Sequence, residues 1–302
     1  MTNDFFKKIF KEGDDVYYFN RWEAIFRCSR QANEDLVLMD EREKVQIILD
    51  EQGKRDFQNL IKWYILKKEK VNGQKSIENI LLDAFHAGEY GTILGKKYLV
   101  YDIETIWSLD DLTQMKFSIA YSMEPNAQNK MTYEYIDEDK LGEFVQKMLD
   151  FDGYIVWYNN IYFDNPVCIY NVWGSAEDIQ QLNEKSIDLY VLLQALTWKR
   201  MGLNKVSEAL VGISKTQESG AEWEKLYQKF IETGEEKYLE ELKQYCKNDV
   251  RMTALVLLYL MHFKKVFMEG EEVTFSLEDI ADKGNREIKE TQWGRSTQSM
   301  FA

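Results

Sequence analysis

KKYLVYDIET, Lys96 to Thr105, runs from two cations through a β-branched and aromatic segment onto two carboxylates. Gly88, Gly91 and Gly95 interrupt the chain just upstream, so the segment reads as a strand that begins after a break. Strand side chains alternate between two faces, which puts Asp102 and Glu104 on one face and Ile103 on the other. Such a pair is either half of a metal site or a solvated strand tip, and the pair alone does not choose.

Downstream, MKFSIAYSM and MTYEYID alternate as two further strands, with Pro125 and Asn126 marking a hairpin-like connection between them. A helix over Glu138 to Asp150 follows, then a buried strand GYIVWY from Gly153, then helices starting near Asp164, Asp188 and Asn204. The longest helical pattern spans about Lys237 to Lys264, with Leu242, Cys246, Val250, Ala254, Leu257 and Leu258 along one face. Upstream of the first strand the pattern from Asp4 to about Ile80 is mostly helical. Phe5, Phe6, Ile9 and Phe10 share one stripe, and Phe57, Leu60, Ile61 and Tyr64 another. Three regions follow: a mainly helical N-terminal module (1–94), an α/β domain (95–268) and a polar tail expected to be loose (269–302).

Two more sets of residues carry chemistry. Asn160-Ile161-Tyr162-Phe163-Asp164 follows the apolar strand directly and sets Asp164 at a strand-to-helix junction. There it either serves a site or merely N-caps the helix. Tyr245 and Asp249, four apart on the closing helix, present a phenol and a carboxylate on one face. A carboxylate on an otherwise apolar face is costly to bury, and Lys247 and Arg251 lie off that face, so a metal is the better partner.

Taken together, Asp102, Glu104, Asp164 and Asp249 resemble the DEDD family of 3′–5′ exonucleases in the motifs DxE, NxxFD and YxxxD. YDIET, YNNIYFDNPV and YCKNDVRMTALVL are similar in wording to the proofreading domain of family-B polymerases and its free-standing relatives. The likeness covers roughly residues 96 to 265. Where some members carry histidine this chain has Gln244, and Tyr245 marks the DEDDy subclass. GLNKVSEALVG looks like a scaffold helix of the family with Asn204 as N-cap, and Asp188 resembles a recurrent helix-starting aspartate.

The resemblance implies an RNase H-like fold, a central mixed sheet with three antiparallel strands followed by alternating helices and strands. It implies two Mg²⁺ or Mn²⁺ ions held by Asp102, Glu104, Asp164 and Asp249, with Tyr245 orienting the attacking water. Thr105, Trp107, Asn160 and Phe163 are the implied substrate contacts. Trp107, Tyr158 and Tyr162 suit stacking on an unpaired terminal base or, equally, core packing. The implied partner is a nucleic acid with a 3′ end, single-stranded by preference. DNA and RNA remain open.

Composition is compatible with this. A net charge of −14 excludes a broad basic nucleic-acid-binding face, but not a nuclease that gathers carboxylates around cations. Residues 1 to 94 hold 15 Lys and Arg against 17 Asp and Glu, so most of the acidity lies downstream. Cys28, Cys168 and Cys246 are scattered and form no CxxC, which fits a reducing cytoplasm. No apolar run is long enough to cross a membrane and the start lacks a signal-peptide core. His86 and His262 read as ordinary helix residues. Two rivals stand beside the exonuclease: a catalytically inactive nucleic-acid-binding module, and a proofreading or repair subunit serving a polymerase through the N-terminal module or through Trp293, Met300 and Phe301 in the tail.

Overall fold

The computed structural model describes residues 76–106, 113, 115–214, 220–268 and 271–285, together with five strands before them. Those strands are β1 (Asp15–Phe19), β2 (Ile25–Arg30), β3 (Leu36–Asp40), β4 (Gln46–Ile48) and β5 (Ile65–Lys67). A helix α1 (Ile77–His86) leads into β6 (Lys97–Ile106), β7 (Lys116–Pro125) and β8 (Met131–Ile136). Then come α2 (Leu141–Asp150), β9 (Gly153–Trp157), α3 (Asn165–Asn171), α4 (Ala176–Glu184), β10 (Ser186–Asp188), α5 (Leu189–Thr197) and α6 (Leu203–Leu210). The chain continues through α7 (Gly220–Thr233), α8 (Glu236–Phe263), β11 (Lys265–Met268), β12 (Glu271–Thr274) and α9 (Leu277–Gly284).

Five strands form the central mixed sheet in the order β10-β9-β6-β7-β8. β6, β7 and β8 are an antiparallel meander, while β9 runs parallel to both β6 and β10. This is the predicted three-strand start followed by alternation. At the β7–β8 turn the Asn126 side-chain oxygen accepts from the amides of Gln128 and Lys130, which locks the hairpin. β6 is central, so Tyr98 to Tyr101 are buried on both faces, as parallel-type pairing requires. β8 is the edge and alternates between half-buried and exposed positions up to buried Ile136. The long helix α8, buried along Val250 to Met261, packs against β6 and β7.

The second sheet has the order β12-β11-β5-β1-β2-β3-β4 and is antiparallel throughout. Here the structure differs from the helical expectation for the N-terminal module. DVYYF, IFRCSR and LVLMD are short runs separated by five-residue connections, a spacing that suits hairpins better than helices. The stripes at Phe5 to Phe10 and Phe57 to Tyr64 lie outside the described residues. Only α1, at the end of the module, is helical among the described residues before β6, and Ser76 caps it by accepting from the Asn79 amide.

The region expected to be a loose tail also contains order through residue 285. β12 pairs with β11, and α9 carries a capping box in which Ser276 and Asp279 satisfy each other's amides. Gly284 lets α9 press onto β10: a Cβ there would meet the Ile187 side chain at 2.8 Å. Asn285 then donates to the carbonyls of Glu184 and Ser186. Trp293, Met300 and Phe301 lie outside the described residues. Among the described residues no helix is long and apolar enough to cross a membrane.

Candidate active site

At the end of β6 burial changes character. Tyr101 is enclosed, after which Asp102 and Glu104 are half-exposed on either side of buried Ile103. The pairing to β7 slips here: Glu104 faces Ile119 while Thr105 faces Phe117, leaving Ser118 as the extra residue of a bulge. Bulges re-aim the side chains beside them, and this one lies directly after the second acid.

Asp164 arrives from the neighbouring strand. β9 pairs Val156 with Val100, so both strands finish at the same end of the sheet. The chain then passes through Asn159 in the left-handed region, φ 82°, and a wide π-type turn over Asn160–Asp164, a rare form often found at functional positions. Asp188, at the end of β10, ties this turn down. Its Oδ1 accepts from the Asn159 amide at 2.8 Å and its Oδ2 from the Ile161 amide at 3.3 Å, while Oδ1 also caps α5 through the Tyr190 and Val191 amides. Asp164 occupies the position before α3, yet its carboxylate makes no capping bond. It is 5 % exposed. Burial pushes its pKa well above the usual carboxylate range, and the charges of Asp102, Asp188 and Glu104 push it further.

The third contribution comes from α8, whose inner face presents Tyr245, Cys246 and Asp249, all buried. The Cys246 thiol donates to the Asp102 carbonyl at 3.4 Å and lies 3.9 Å from Asp102 Oδ2. One ligand-type atom each from Asp102, Glu104 and Cys246 fall within 4.8 Å of one another. Burial, followed by the charges of Asp102, Glu104 and Asp249, drives the thiol pKa well up. With no cation bound the Cys246 thiol thus favours its protonated form, and the carboxylates of Asp102 and Glu104 beside it offer oxygen donors to a cation. That set fits hard, oxygen-seeking divalent ions such as Mg²⁺ or Mn²⁺. Of the cations on α8, Arg251 pairs with Glu78 and Lys247 lies over the Tyr133 ring, 5.1 Å from its centre.

A mixed five-stranded sheet with acids gathered at one end is thus on view, and the sequence model of the RNase H superfamily matches residues 99–261, more than half of the 302-residue chain. The chain belongs to the RNase H superfamily. No curated protein matches it. Members of the superfamily are generally nucleases that act on nucleic acid with divalent metals, and the residues matched span all four acids.

Within this RNase H-like domain the expected substrate contacts separate. Thr105 is half-buried at the bulge. Asn160 is fully buried and donates to Ser186 Oγ at 3.2 Å, and Phe163 packs against the main core. Trp107 lies outside the described residues. Tyr158 belongs to the interior, where its hydroxyl donates to the Met201 carbonyl, while Tyr162 is half-buried. Asn204 is not the cap of α6: Gly202 holds that position and makes no side-chain bond. His262 meets Tyr90 at 2.8 Å, and His86 sits in the last turn of α1, both outside the acid cluster.

Two residues gain roles that spacing does not reveal. Asp188 reads as a plain cap but reaches across 29 residues to hold the Asn159 turn. Asn165, next to Asp164, is the hub of a buried polar network: it accepts from the Tyr101 hydroxyl at 2.5 Å and donates to Asn183 and Ser186. The signal for it is an asparagine directly after a motif acid, between that acid and Pro166, in an otherwise apolar run.

Proposed function

We propose that the chain is a DEDDy-type 3′–5′ exonuclease that removes nucleoside 5′-monophosphates from single-stranded or frayed DNA or RNA. The observation that carries this reading is convergence: Asp164 lies near enough to Asp102 and Glu104 to feel their charges, while α8 sets Cys246, one turn from Asp249, against Asp102. Like charges from separate motifs are crowded near the end of the sheet, with Asp164 and Asp249 buried and Asp102 and Glu104 half-exposed, a costly arrangement that a cation would relieve.

Asp102, Glu104, Asp164 and Asp249 would hold two divalent ions, Mg²⁺ or Mn²⁺. Bound there, such ions supply charge neutralisation at the scissile phosphate and lower the pKa of water. The chain's own residues do the remaining work. Asp164 would serve as a ligand in its ionised form, which its burial disfavours until a cation is present. The Cys246 thiol fixes the main chain at Asp102, and Asp188 fixes the turn that delivers Asp164. Tyr245 would hold the attacking water by its phenol, and Thr105, Trp107, Asn160 and Phe163 would frame the terminal nucleotide. Cleavage leaves a 3′ hydroxyl on the shortened strand. A polymerase or repair partner engaging residues 1–94 or the tail belongs to the same proposal, as does a cytoplasmic setting, which the buried free thiols of Cys168 and Cys246 suit.

The test follows 5′-labelled single-stranded DNA and RNA with Mg²⁺, Mn²⁺ or EDTA, beside Asp102→Ala. A metal-dependent ladder that disappears in the variant is expected, and the sugar is chosen by which substrate shortens. A folded wild-type chain that binds either strand and never shortens it would overturn the reading in favour of a binding module.

A further inference from the structure

Two tryptophans are strongly exposed among the described residues, Trp173 at 96 % and Trp198 at 85 %. Both sit just past a helix end in the left-handed region, with φ 59° and 58°, a conformation that bulky side chains avoid. The stretches of sequence that carry them are opposite in charge. From Asn165 to Glu184, around Trp173, there is no Lys or Arg, and Glu177, Asp178 and Glu184 follow it. From Leu189 to Ser207, around Trp198, there is no Asp or Glu, and Lys199, Arg200 and Lys205 are present. In a chain of net charge −14 such an acid-free stretch stands apart.

The Trp198 loop is also tied to the chain that runs from β9 to Asp164. Met201, at its far end, receives the Tyr158 hydroxyl through its carbonyl. Tyr158 follows β9 directly and precedes the turn that carries Asp164. The helix leading to Trp198 begins at the Asp188 cap, and its Tyr190 meets the Tyr158 ring edge-on at 6.0 Å. A bare ring, flanked by cations and tied to the strand end that delivers Asp164, has the chemistry of a single-strand contact: the ring stacks on any base and the cations meet phosphate.

We propose that Trp198 with Lys199, Arg200 and Lys205 is a binding surface for single-stranded nucleic acid, holding the strand that leads to the acid site. The proposal rests on the exonuclease reading for its substrate but is tested by binding. The probe is a short fluorescein-labelled oligodeoxythymidylate, with Ca²⁺ replacing Mg²⁺, followed by anisotropy over a range of salt. Trp198→Ala is expected to weaken binding about tenfold, and Trp198→Phe, which keeps a ring, to restore most of it. Arg200→Gln is expected to weaken binding and flatten the dependence of log affinity on log salt by about 0.7. Trp173→Ala, equally exposed but without cations, should bind as wild type does. Trp198→Ala binding as tightly as wild type, an equal loss in Trp173→Ala, or no binding by the wild type would each overturn the surface. Binding by wild type without a ladder in Mg²⁺ would instead sink the exonuclease reading and leave the surface standing.

Discussion

Asp164 and Asp188 are the same residue in nearly the same place, each buried at a strand-to-helix junction on neighbouring strands, and they are used in opposite ways. Asp188 spends its carboxylate on four backbone amides, two from the helix it starts and two from the Asn159 turn. Asp164 makes no capping bond and lies within the electrostatic reach of Asp102 and Glu104. Burial raises the pKa of both; for Asp188 the four amides pull against burial and leave it at about 6. A capping carboxylate and a non-capping one are therefore told apart by what the amides at the helix start do, and not by position in the sequence.

The sharpest way to break this contrast is to remove each acid in turn. If Asp164 holds a catalytic cation as proposed, Asp164→Ala is expected to cost on the order of 10³-fold or more in turnover while the chain still folds. In EDTA, Asp164→Asn should melt at a higher temperature than wild type, since a carboxyl held above its ordinary pKa is a strained one. A lower melting temperature in calorimetry would show that Asp164 is structural after all.

Asp188→Ala should do the reverse, costing about 2–4 kcal/mol of stability through the lost cap and the stranded Asn159 and Ile161 amides. Asp188→Asn sharpens the point, because an amide oxygen in the Oδ1 place keeps the cap and the Asn159 bond while its NH₂ opposes the Ile161 amide. Turnover should then fall by about tenfold with little loss of stability, a rate effect of roughly 1.4 kcal/mol. Ser175→Ala, which breaks the capping box of α4, is the control: about 1 kcal/mol of stability and no change in turnover. Equal turnover losses in the two variants would mean that Asp188 acts only through stability.

The smallest expected effect is on pH. Both carboxyls bind protons more tightly in the folded chain than in the unfolded one, so the stability they allow is fully present below about pH 4, the unfolded value. For Asp188 it is lost as pH rises through about 6. Denaturant unfolding of the metal-free protein should show stability falling over that window, and Asp188→Asn should flatten the slope. A slope of opposite sign would mean that the amide bonds to Asp188 outweigh its burial.

Much of the central domain is legible in the sequence, because its strands are long or fully apolar and its acids sit where periods of two and of 3.6 residues place them. KYLVYDIETI and the α8 face are such cases. The second sheet is harder to read: its strands are three to six residues long and mix charge with apolar residues, so no period dominates. The order beyond 269 shows only in small marks, the SLED capping box and Gly284. Asp188's reach to Asn159 and the Cys246 contact with Asp102 join residues 29 and 144 positions apart, which no local pattern encodes.

The pairing of β5 with β11 joins residue 66 to residue 268 and closes the second sheet through a hairpin that follows α8. During synthesis the first five strands therefore emerge long before their last partner, and the edge of β5 stays open while the whole RNase H-like domain is translated. Any shortened version cut after α8 would carry an intact acid cluster and an unfinished sheet, so the boundary chosen for expression decides solubility before it touches catalysis.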